Sequence, residues 1–487
     1  MRTRPRSRPV FINNQEDIPL KLKTSSLLIA ATLFGAAVLP AQANDDAMVN
    51  LLKVLRDQGT ITAQNYDLLV HAANADKQAS EDVAKKVAKV EEKTANTDFK
   101  IITKGKIKFE SGDGNWSFQP IGRVMWDAMS VDSDTNPNTG FHGTELRRAR
   151  LGFEGEIYDW GYKFEGDFAG GGGKAGKSVA IKDAFLSYGT KIGDNKFKVK
   201  LGQSQIAFGF NTAASSKYMT FMDRPWYADS KLSPARKSGV AAKLAGHSWS
   251  IGASVDVGEL KGGTTENNVD GTTFALRGTF VPFKQDKHHQ FQLGAGYMGD
   301  SANKNGFSYK QHLVAHKDLS EIVLGKSIVK PKGNSISAIN FDGSDAFEVD
   351  ATGIFGPAHL LAEYNHFKAK SKAVSSDVKI RSYSVEAGYF LTGESMKLKH
   401  GFWDGITPKS SMGAWQIAAR FENMNIDDGV VGNDEASKWT AGLNYYPTKN
   451  TRLMLDYDKV TKWNQSGASV ANSAKPSAIK FRAQAKW

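Results

Sequence analysis

The last nine residues of the chain alternate strictly between two kinds of side chain. In the order Ile-Lys-Phe-Arg-Ala-Gln-Ala-Lys-Trp, ending at Trp487, each odd-numbered position is apolar and each even-numbered position is polar or basic. A β-strand directs successive side chains to opposite faces. One face of this strand can therefore meet lipid while the other carries positive charge into water. The pattern is typical of the closing strand of an outer-membrane β-barrel.

The same period of two residues recurs from about Phe99 onward, in seventeen candidate strands. They are 101–110, 116–128, 149–157, 160–168, 181–189, 197–201, 239–244, 249–257, 273–281, 290–297, 346–352, 358–366, 381–389, 415–422, 438–445, 451–458 and 479–487. Single-chain bacterial barrels carry an even number of strands. We therefore predict an all-β fold over residues 99–487, a transmembrane antiparallel β-barrel of 16 strands, with 18 as the alternative. Residues 203–238 and 298–345 are the predicted long loops.

A secretory signal is predicted at the N-terminus. Lys21 and Lys23 precede the apolar run 27–38, and Ala43 ends a small-residue cleavage site. The run is too short to span a bilayer as a helix. We therefore expect residues 1–43 to be a signal peptide, cleaved after Ala43, and the barrel to reach the outer membrane of a Gram-negative bacterium.

The charge of the chain is strongly positive, with a formal net value of +12. The predicted signal carries six Lys or Arg and two acidic residues, so its removal takes away +4 and leaves +8. In a soluble protein this surplus would suggest nucleic acid. In an exported barrel it indicates cations that line a pore, and we expect no nucleic-acid partner. The Arg-rich stretch ahead of the signal is explained if translation begins near Leu20.

Residues 44–98 follow a helical pattern and form a predicted periplasmic segment ahead of the barrel. Apolar residues recur at helical spacing up to Gly59, a residue type that commonly ends helices, and a second short helix is predicted after Thr62. Two heptads follow, at Val83, Val87, Val90 and Thr94. They are compatible with a trimeric coiled coil and equally with a monomeric helix.

One segment matches the phosphate-binding loop of nucleotide-binding enzymes. Residues 171–178, Gly-Gly-Gly-Lys-Ala-Gly-Lys-Ser, satisfy the G-x-x-x-x-G-K-[ST] pattern. That loop binds phosphate only between a buried strand and a helix N-terminus, whereas the residues on both sides alternate like barrel strands. We interpret it as a glycine loop between two strands. The histidines, His312 and His316 among them, are interpreted as solvated loop residues, so we expect no catalytic residue, metal site or cofactor.

Basic residues on the predicted inner face are the candidate functional set. The alternation points twelve of them into the lumen. These pore-lining candidates are Arg123, Arg148, Arg150, Lys198, Lys200, Lys243, Arg277, Arg420, Arg452, Lys480, Arg482 and Lys486. Acidic residues share this face, so part of the set is expected to form ion pairs in the wall.

Surplus positive charge in a low-dielectric tube concentrates anions, and rings of Arg and Lys form anion pores. We therefore expect a passive channel that favours small anions. Two alternatives remain open on the residues alone. One is a general porin with little charge selectivity, and the other is a structural barrel that tethers the envelope.

Five segments stand out as family motifs. They are Glu145-Leu-Arg-Arg-Ala-Arg-Leu151, Ser216-Lys-Tyr-Met-Thr-Phe-Met-Asp-Arg224, Tyr389-Phe-Leu-Thr-Gly-Glu394, Gly413-Ala-Trp-Gln-Ile-Ala-Ala-Arg420 and Gly442-Leu-Asn-Tyr-Tyr446. Together they resemble the phosphate-selective porins O and P over roughly residues 100–487. The Leu-Thr-Gly-Glu piece is the most specific, because it resembles that family's late hairpin.

The resemblance implies a 16-stranded trimeric barrel in outer-membrane lipid that passes phosphate, polyphosphate or other small anions. Lys217 and Arg224 lie in the segment that resembles the family's inward-folding loop, which implies a place near the constriction. Arg236 and Lys237 join them as anion-binding candidates. The best-known members also carry a ladder of alternating arginines, and this sequence has no R-x-R-x-R-x-R run.

Overall fold

The structure is a computed structural model that divides into two units, residues 1–97 and 98–487, each described here by itself. It describes residues 45–95, 99–103, 106–134, 140–169, 179–228, 232–258, 271–302, 306–307, 309, 311–316, 323–324, 341–372, 377–427, 433–464 and 475–487. The predicted signal peptide and the glycine loop at 171–178 lie outside these described residues. No helix in the described ranges is long and apolar enough to cross a membrane.

The described residues of the first unit contain two helices, α1 (Asp45–Asp57) and α2 (Ala63–Ala95). Gly59, with φ of +70°, follows the end of α1 as expected. The hydroxyl of Thr62 accepts a hydrogen bond from Asn65 N at 3.2 Å and so caps the start of α2. The prediction of a second short helix was wrong. The short helix and the heptads form one continuous helix, because no Gly or Pro interrupts residues 63–95.

In its described residues, the second unit is built of strands with one short helix. The strands that enclose the lumen, with the first hairpin, are β1 (Phe99–Ile102), β2 (Lys108–Ser111), β3 (Trp116–Asp132), β4 (Phe141–Ile157), β5 (Trp160–Asp167), β6 (Ala180–Ile192), β7 (Asn195–Gln205), β8 (Arg236–Ala245), β9 (Trp249–Asp256), β10 (Thr273–Lys284), β11 (His289–Asp300), β14 (Phe341–Phe355), β15 (Ala358–Ser371), β16 (Val378–Phe390), β19 (Ala414–Asp427), β20 (Asn433–Tyr446), β21 (Thr451–Asn464) and β22 (Ser477–Lys486). Two-residue strands lie in the connections, β12 (Gln311–His312), β13 (Val323–Leu324), β17 (Leu398–Lys399) and β18 (Phe402–Trp403). The helix is α3 (Phe210–Ala213).

Sixteen strands form a closed antiparallel barrel, which confirms the predicted number. Each of β3–β11, β14–β16 and β19–β22 pairs with the next, and β22 pairs with β3, with Lys486 opposite Arg123 and Ser477 opposite Asp132. Closure leaves no strand edge unpaired in the ring. It also makes the two faces of every strand distinct, one outside and one in the lumen.

One of the seventeen candidate strands, residues 101–110, is not a barrel strand. It contains parts of β1 and β2, a hairpin that pairs with β3 only at Phe109–Phe118 and Glu110–Ser117. Strands β1 and β2 have four residues each. A membrane-crossing strand needs about 9–11 residues, so alternation over so short a stretch does not indicate a span.

The outer face of the barrel is apolar and the inner face is polar. On β3, Val124 and Trp126 are exposed on the outside, whereas Arg123 and Asp127 are buried inside. Aromatic side chains pair across neighbouring strands on the outer face, for example Trp415 and Tyr445 with ring centroids 4.5 Å apart. The alternation seen in the sequence is therefore the division between lipid and lumen.

The connections distinguish a short-turn end from a long-loop end. At the first, β4 and β5 are joined by 158–159 and β6 and β7 by 193–194; at the second lie the loops 206–235 and 301–340. One connection departs from this division. Residues 391–413, between β16 and β19, form a long segment at the short-turn end that contains the hairpin β17–β18.

Candidate functional site: the barrel lumen

The loop 206–235, between β7 and β8, folds into the lumen and is held on one wall of the barrel. Asp223 of the loop pairs with Lys480 Nζ at 2.8 Å. The backbone N–H of Trp226 donates to Glu422 Oε2 at 2.9 Å, and that of Met222 donates to Asp456 Oδ2 at 2.7 Å. Backbone donors that leave water require such partners. Acidic side chains of the wall supply them.

At the start of α3, the same loop is also fixed to β15. The backbone N–H groups of Phe210 and Asn211 donate to Glu363 Oε1 at 2.8 and 3.0 Å. The side chain of Arg224 closes the loop on itself, because it donates to the carbonyl oxygens of Asn211 and Ala214, both at 2.7 Å. The described part of the loop therefore has a defined shape inside the barrel and covers the inner face from β14 to β22.

The segment 391–413 enters the lumen from the opposite, short-turn end and reaches across it. Lys243 Nζ, on β8, donates to the carbonyl oxygen of His400 at 3.0 Å. Gln292 Nε2, on β11, donates to the carbonyl oxygen of Gly401 at 3.1 Å. The segment starts from β16, so these contacts extend it from one wall to the facing wall. It is the second element that narrows the pore.

The two inserted elements meet in an apolar cluster. The ring centroids of Phe210 and Trp403 are 5.4 Å apart, and those of Phe210 and Phe402 are 5.6 Å apart. His359 packs beside them, with its ring 5.6 Å from that of Trp403. The interpretation of the histidines as solvated loop residues is wrong for His359, which is buried on β15. The apolar contact fixes each element against the other.

At the long-loop end, residues 306–316 add a third contribution. The indole N–H of Trp226 donates to the carbonyl oxygen of Leu313 at 3.2 Å, and the rings of Phe307 and Phe367 stack 5.3 Å apart. His316 Nδ1 lies 3.4 Å from Glu145 Oε1 on β4. The described part of this loop therefore also packs inside the mouth of the barrel.

The remaining open side of the lumen lies along β5 to β8. Inner-face residues from β14 to β22 such as Glu363, Asp456 and Arg482 are fully buried beneath the loop, whereas inner-face lysines on the other wall keep part of their side chains exposed. These partly exposed lysines are Lys163, Lys198, Lys200 and Lys243. On this side the ammonium groups are partly exposed, whereas the acids Glu165 and Asp183 of the same wall are buried.

Most of the predicted pore-lining arginines are paired with acids in the wall. The closest pairs are Arg123–Glu165 at 3.0 Å, Arg150–Asp167 at 2.8 Å, Arg277–Asp350 at 2.6 Å, Arg420–Glu422 at 3.2 Å and Arg482–Asp127 at 2.6 Å. Lys480 bridges Asp223 and Asp458 at 2.8 and 2.5 Å. These side chains neutralise one another and fix the wall and the loop.

The other six pore-lining candidates form no ion pair with a described carboxylate. Arg148 contacts Met125 Sδ at 3.6 Å, and Arg452 donates to the carbonyl oxygens of Met219 and Thr220 at 2.5 and 2.8 Å. The remaining four are Lys198, Lys200, Lys243 and Lys486. All four are partly exposed, so their charge is available to solutes in the lumen.

The four anion-binding candidates also differ in whether their charge is paired with a carboxylate. Arg236 Nε pairs with Asp183 at 2.7 Å and Lys237 Nζ with Asp300 at 2.9 Å, while Arg224 is committed to loop carbonyls. Lys217 is half-buried and makes no ion pair within the described ranges. Burial, with the charge of nearby Arg123, lowers the pKa of the Lys217 ammonium to about 8.

A cavity at the short-turn end lies between Lys217 and cations of the barrel wall. It is lined by Lys217, Tyr218, Asp404, Arg452 and Lys486, among others. Lys486 Nζ lies 4.0 Å from the centroid of the Tyr218 ring. Cations from the inward loop and from two barrel strands therefore surround one space, with Asp404 as the acidic side chain in its lining.

Sequence reasoning missed two features of this site. Lys163 is not among the sequence-predicted candidates, although it lies between Glu154 and Asp183 on the open side, at 3.5 and 3.2 Å. The inserted segment 391–413 was not predicted. Its unusual length between two candidate strands at the short-turn end was the available signal.

A model described as phosphate-selective porin O and P matches residues 118–487. The chain is 25% identical over 415 residues to Porin O of Pseudomonas aeruginosa, which covers 76% of this chain and 90% of that protein. It is 24% identical over 383 residues to an uncharacterized protein of Caulobacter vibrioides, covering 75% and 72% of the two chains.

Among solved structures, an anion-selective porin from Comamonas acidovorans is similar with a TM-score of 0.48 and 13% identity, covering 76% of this chain and 100% of that one. The family match and the closed barrel together indicate an outer-membrane channel. Because the family model covers about three quarters of the sequence, the chain belongs to the phosphate-selective porin O and P family.

Proposed function

We propose that this protein is a passive outer-membrane porin that favours small anions, phosphate among them, and that it is not an enzyme and uses no cofactor. The observation that carries the proposal is the set of partly exposed lysines without carboxylate partners on the open side of the lumen. The acids of the opposite wall are buried under the inward loop. A solute in the lumen therefore meets mainly positive charge. The name of the family supports phosphate as one solute.

Passage through such a pore follows the concentration gradient. Ammonium groups donate charge-assisted hydrogen bonds that replace part of the hydration of an anion. Several separate weak sites, rather than one tight site, allow the anion to leave again. Lys198, Lys200 and Lys243 on the wall, with Lys217 on the loop, form such a series in our proposal.

The remaining parts of the proposal concern export and assembly. Residues 1–43 act as a signal cleaved after Ala43, residues 44–98 are a periplasmic segment, and the mature protein is a homotrimer in lipid. On α2, Val83 and Val87 are exposed in the single chain, by 60% and 49%. Exposed valines at heptad spacing would be covered in a trimeric coiled coil.

The reversal potential in a KCl gradient across a planar bilayer tests the anion preference. We expect the native channel to favour chloride and Lys217→Glu to lower that preference. Lys287→Glu makes the same charge change at the exposed turn 285–288 and is the control. Competition of inorganic phosphate with the chloride current then tests phosphate as a solute.

A second candidate function is a general porin with little charge selectivity. The ion pairs of the wall favour it, because they cancel most of the arginine charge. A reversal potential near zero for the native channel would establish this alternative. A reconstituted protein without conductance would instead support a structural barrel.

A further inference from the structure

Among the described residues inside the barrel, three half-buried aromatic rings each have a lysine beside them. The pairs are Lys200–Phe185, Lys486–Tyr218 and Lys243–Phe402, with Nζ at 4.8, 4.0 and 6.0 Å from the ring centroid. None of the three lysines forms an ion pair with a carboxylate in the part of the chain that the structure describes. Each pair therefore offers an apolar face and an available positive charge together.

The three rings come from three different elements. Phe185 lies on β6, where its neighbour Leu186 is 52% exposed on the lipid side, so Phe185 points inward. Tyr218 lies on the inward loop 206–235, and Phe402 lies in the inserted segment 391–413. Local packing of a single strand does not explain the repetition. A lysine beside an aromatic ring therefore recurs in different parts of the lumen.

Aromatic rings do not help a hydrated inorganic anion to pass. The face of the ring carries negative partial charge, and its apolar surface cannot replace lost hydration. A lysine alone would serve chloride or phosphate better. An organic anion differs, because its carboxylate can accept a hydrogen bond from the ammonium while its apolar body packs against the ring.

We propose that the pore binds and passes organic carboxylates with a flat apolar body, for which benzoate is the simplest probe. The carboxylate lies on the lysine and the body of the solute packs against the adjacent ring, first at one pair and then at the next. The proposal rests on the anion channel proposed above and names a solute class for it. It predicts a preference that charge alone does not produce.

Inhibition of the chloride current in planar bilayers measures this preference. Benzoate, acetate and inorganic phosphate are added separately to the native channel, and the half-blocking concentration of each is determined. Benzoate and acetate have the same charged group, so their ratio reports the contribution of the apolar body. We expect the half-blocking concentration of benzoate to be about threefold to tenfold lower than that of acetate.

Variants of one ring identify its role. Tyr218→Leu removes the ring and is expected to bring the benzoate value toward the acetate value, whereas Tyr218→Phe keeps the ring and the preference. Phe185→Leu makes the same test on the wall. Tyr383→Leu removes a ring on the lipid face, where Tyr383 is 41% exposed, and is the matched control with no expected effect.

Equal half-blocking concentrations for benzoate and acetate in the native channel would overturn the inference. A preference for benzoate that survives both Leu variants would overturn the assignment to these rings. In either case a chloride-selective reversal potential would leave the proposed anion channel intact. A native channel without chloride selectivity would contradict the proposed function itself.

Discussion

Lys217 combines a position in the lumen with a charge that titrates near physiological pH. Burial lowers the pKa of its ammonium to about 8, so the group is charged below that pH and neutral above it. We expect the chloride preference of the native channel to fall as the pH rises from 7 to 9. The fall is measured as a shift of the reversal potential toward zero in a KCl gradient.

The control for this titration is Lys217→Gln, which removes the titrating group. Its reversal potential should differ from that of the native channel at pH 7 and approach it at pH 9. Native and variant curves that run parallel over the whole range would show that another group is responsible.

A second residue-scale prediction concerns a fully buried ion pair of the lumen wall, Arg482–Asp127. Arg482 is 1% exposed, donates twice to Asp127 at 2.7 and 2.6 Å and donates to the carbonyl oxygen of Met222 at 2.7 Å. Arg482→Met leaves the Asp127 carboxylate buried without its partner. We expect the free energy of unfolding to fall by about 3–5 kcal/mol, measured by urea titration in lipid vesicles.

The double variant Arg482→Met with Asp127→Leu removes both charges and is the control. Because it leaves no buried unpaired charge, it should recover much of the lost stability. If the single variant is as stable as the native protein, solvent reaches this pair in the folded channel and the arginine is not a structural element.

At the scale of elements, the loop 206–235 is held by donors and acceptors from several barrel strands. Replacing it by a short Gly-Ser linker between β7 and β8 exposes the acids that it covers, Glu363, Glu422 and Asp456 among them. We expect the single-channel conductance to rise and the chloride preference to fall, because the pore is wider and its wall less positive. Single-channel recording measures both quantities.

An unchanged conductance in that variant would show that the narrowest part of the pore lies elsewhere. The inserted segment 391–413 would then be the remaining candidate, since it crosses the lumen independently to Lys243 and Gln292. Shortening that segment in the native background distinguishes the two.

The barrel strands could be predicted from the alternation of residues, whereas the paths of the inserted elements could not. In a strand between lipid and water, apolar and polar residues alternate along the sequence. Segments such as 116–128 or 451–458 can therefore be identified as strands without any other part of the chain. The path of the inward loop depends instead on partners far away in the chain, as when Met222 N–H meets Asp456. No local pattern contains that information.

The same limit explains which site residues could be predicted. The direction of an inner-face side chain follows from alternation, and the structure places Lys198 and Lys243 opposite each other on neighbouring strands. Whether such a charge is cancelled depends on its three-dimensional neighbours. Arg236 and Lys237 pair with Asp183 and Asp300, acids that no spacing in the sequence connects to them.

For the whole molecule, the closed cylinder depends on the contact between its first and last barrel strands. Trp487, after β22, exchanges backbone hydrogen bonds with Gly122 of β3, each at 3.2 Å. The indole ring lies across this glycine, since a Cβ at position 122 would be 2.2 Å from a ring carbon. The C-terminal tryptophan therefore needs a residue without a side chain opposite it.

Gly122→Leu should displace the indole and weaken the closing contact. Overpacking of this kind costs about 1–3 kcal/mol, so we expect lower resistance to urea in lipid vesicles and a larger unfolded fraction on unheated SDS gels. Gly278→Leu is the matched control on the outer face of β10, because a Cβ there meets nothing within 4 Å. If both variants lose the same stability, added apolar bulk is responsible. A loss confined to Gly122→Leu places the cause at the junction that closes the barrel.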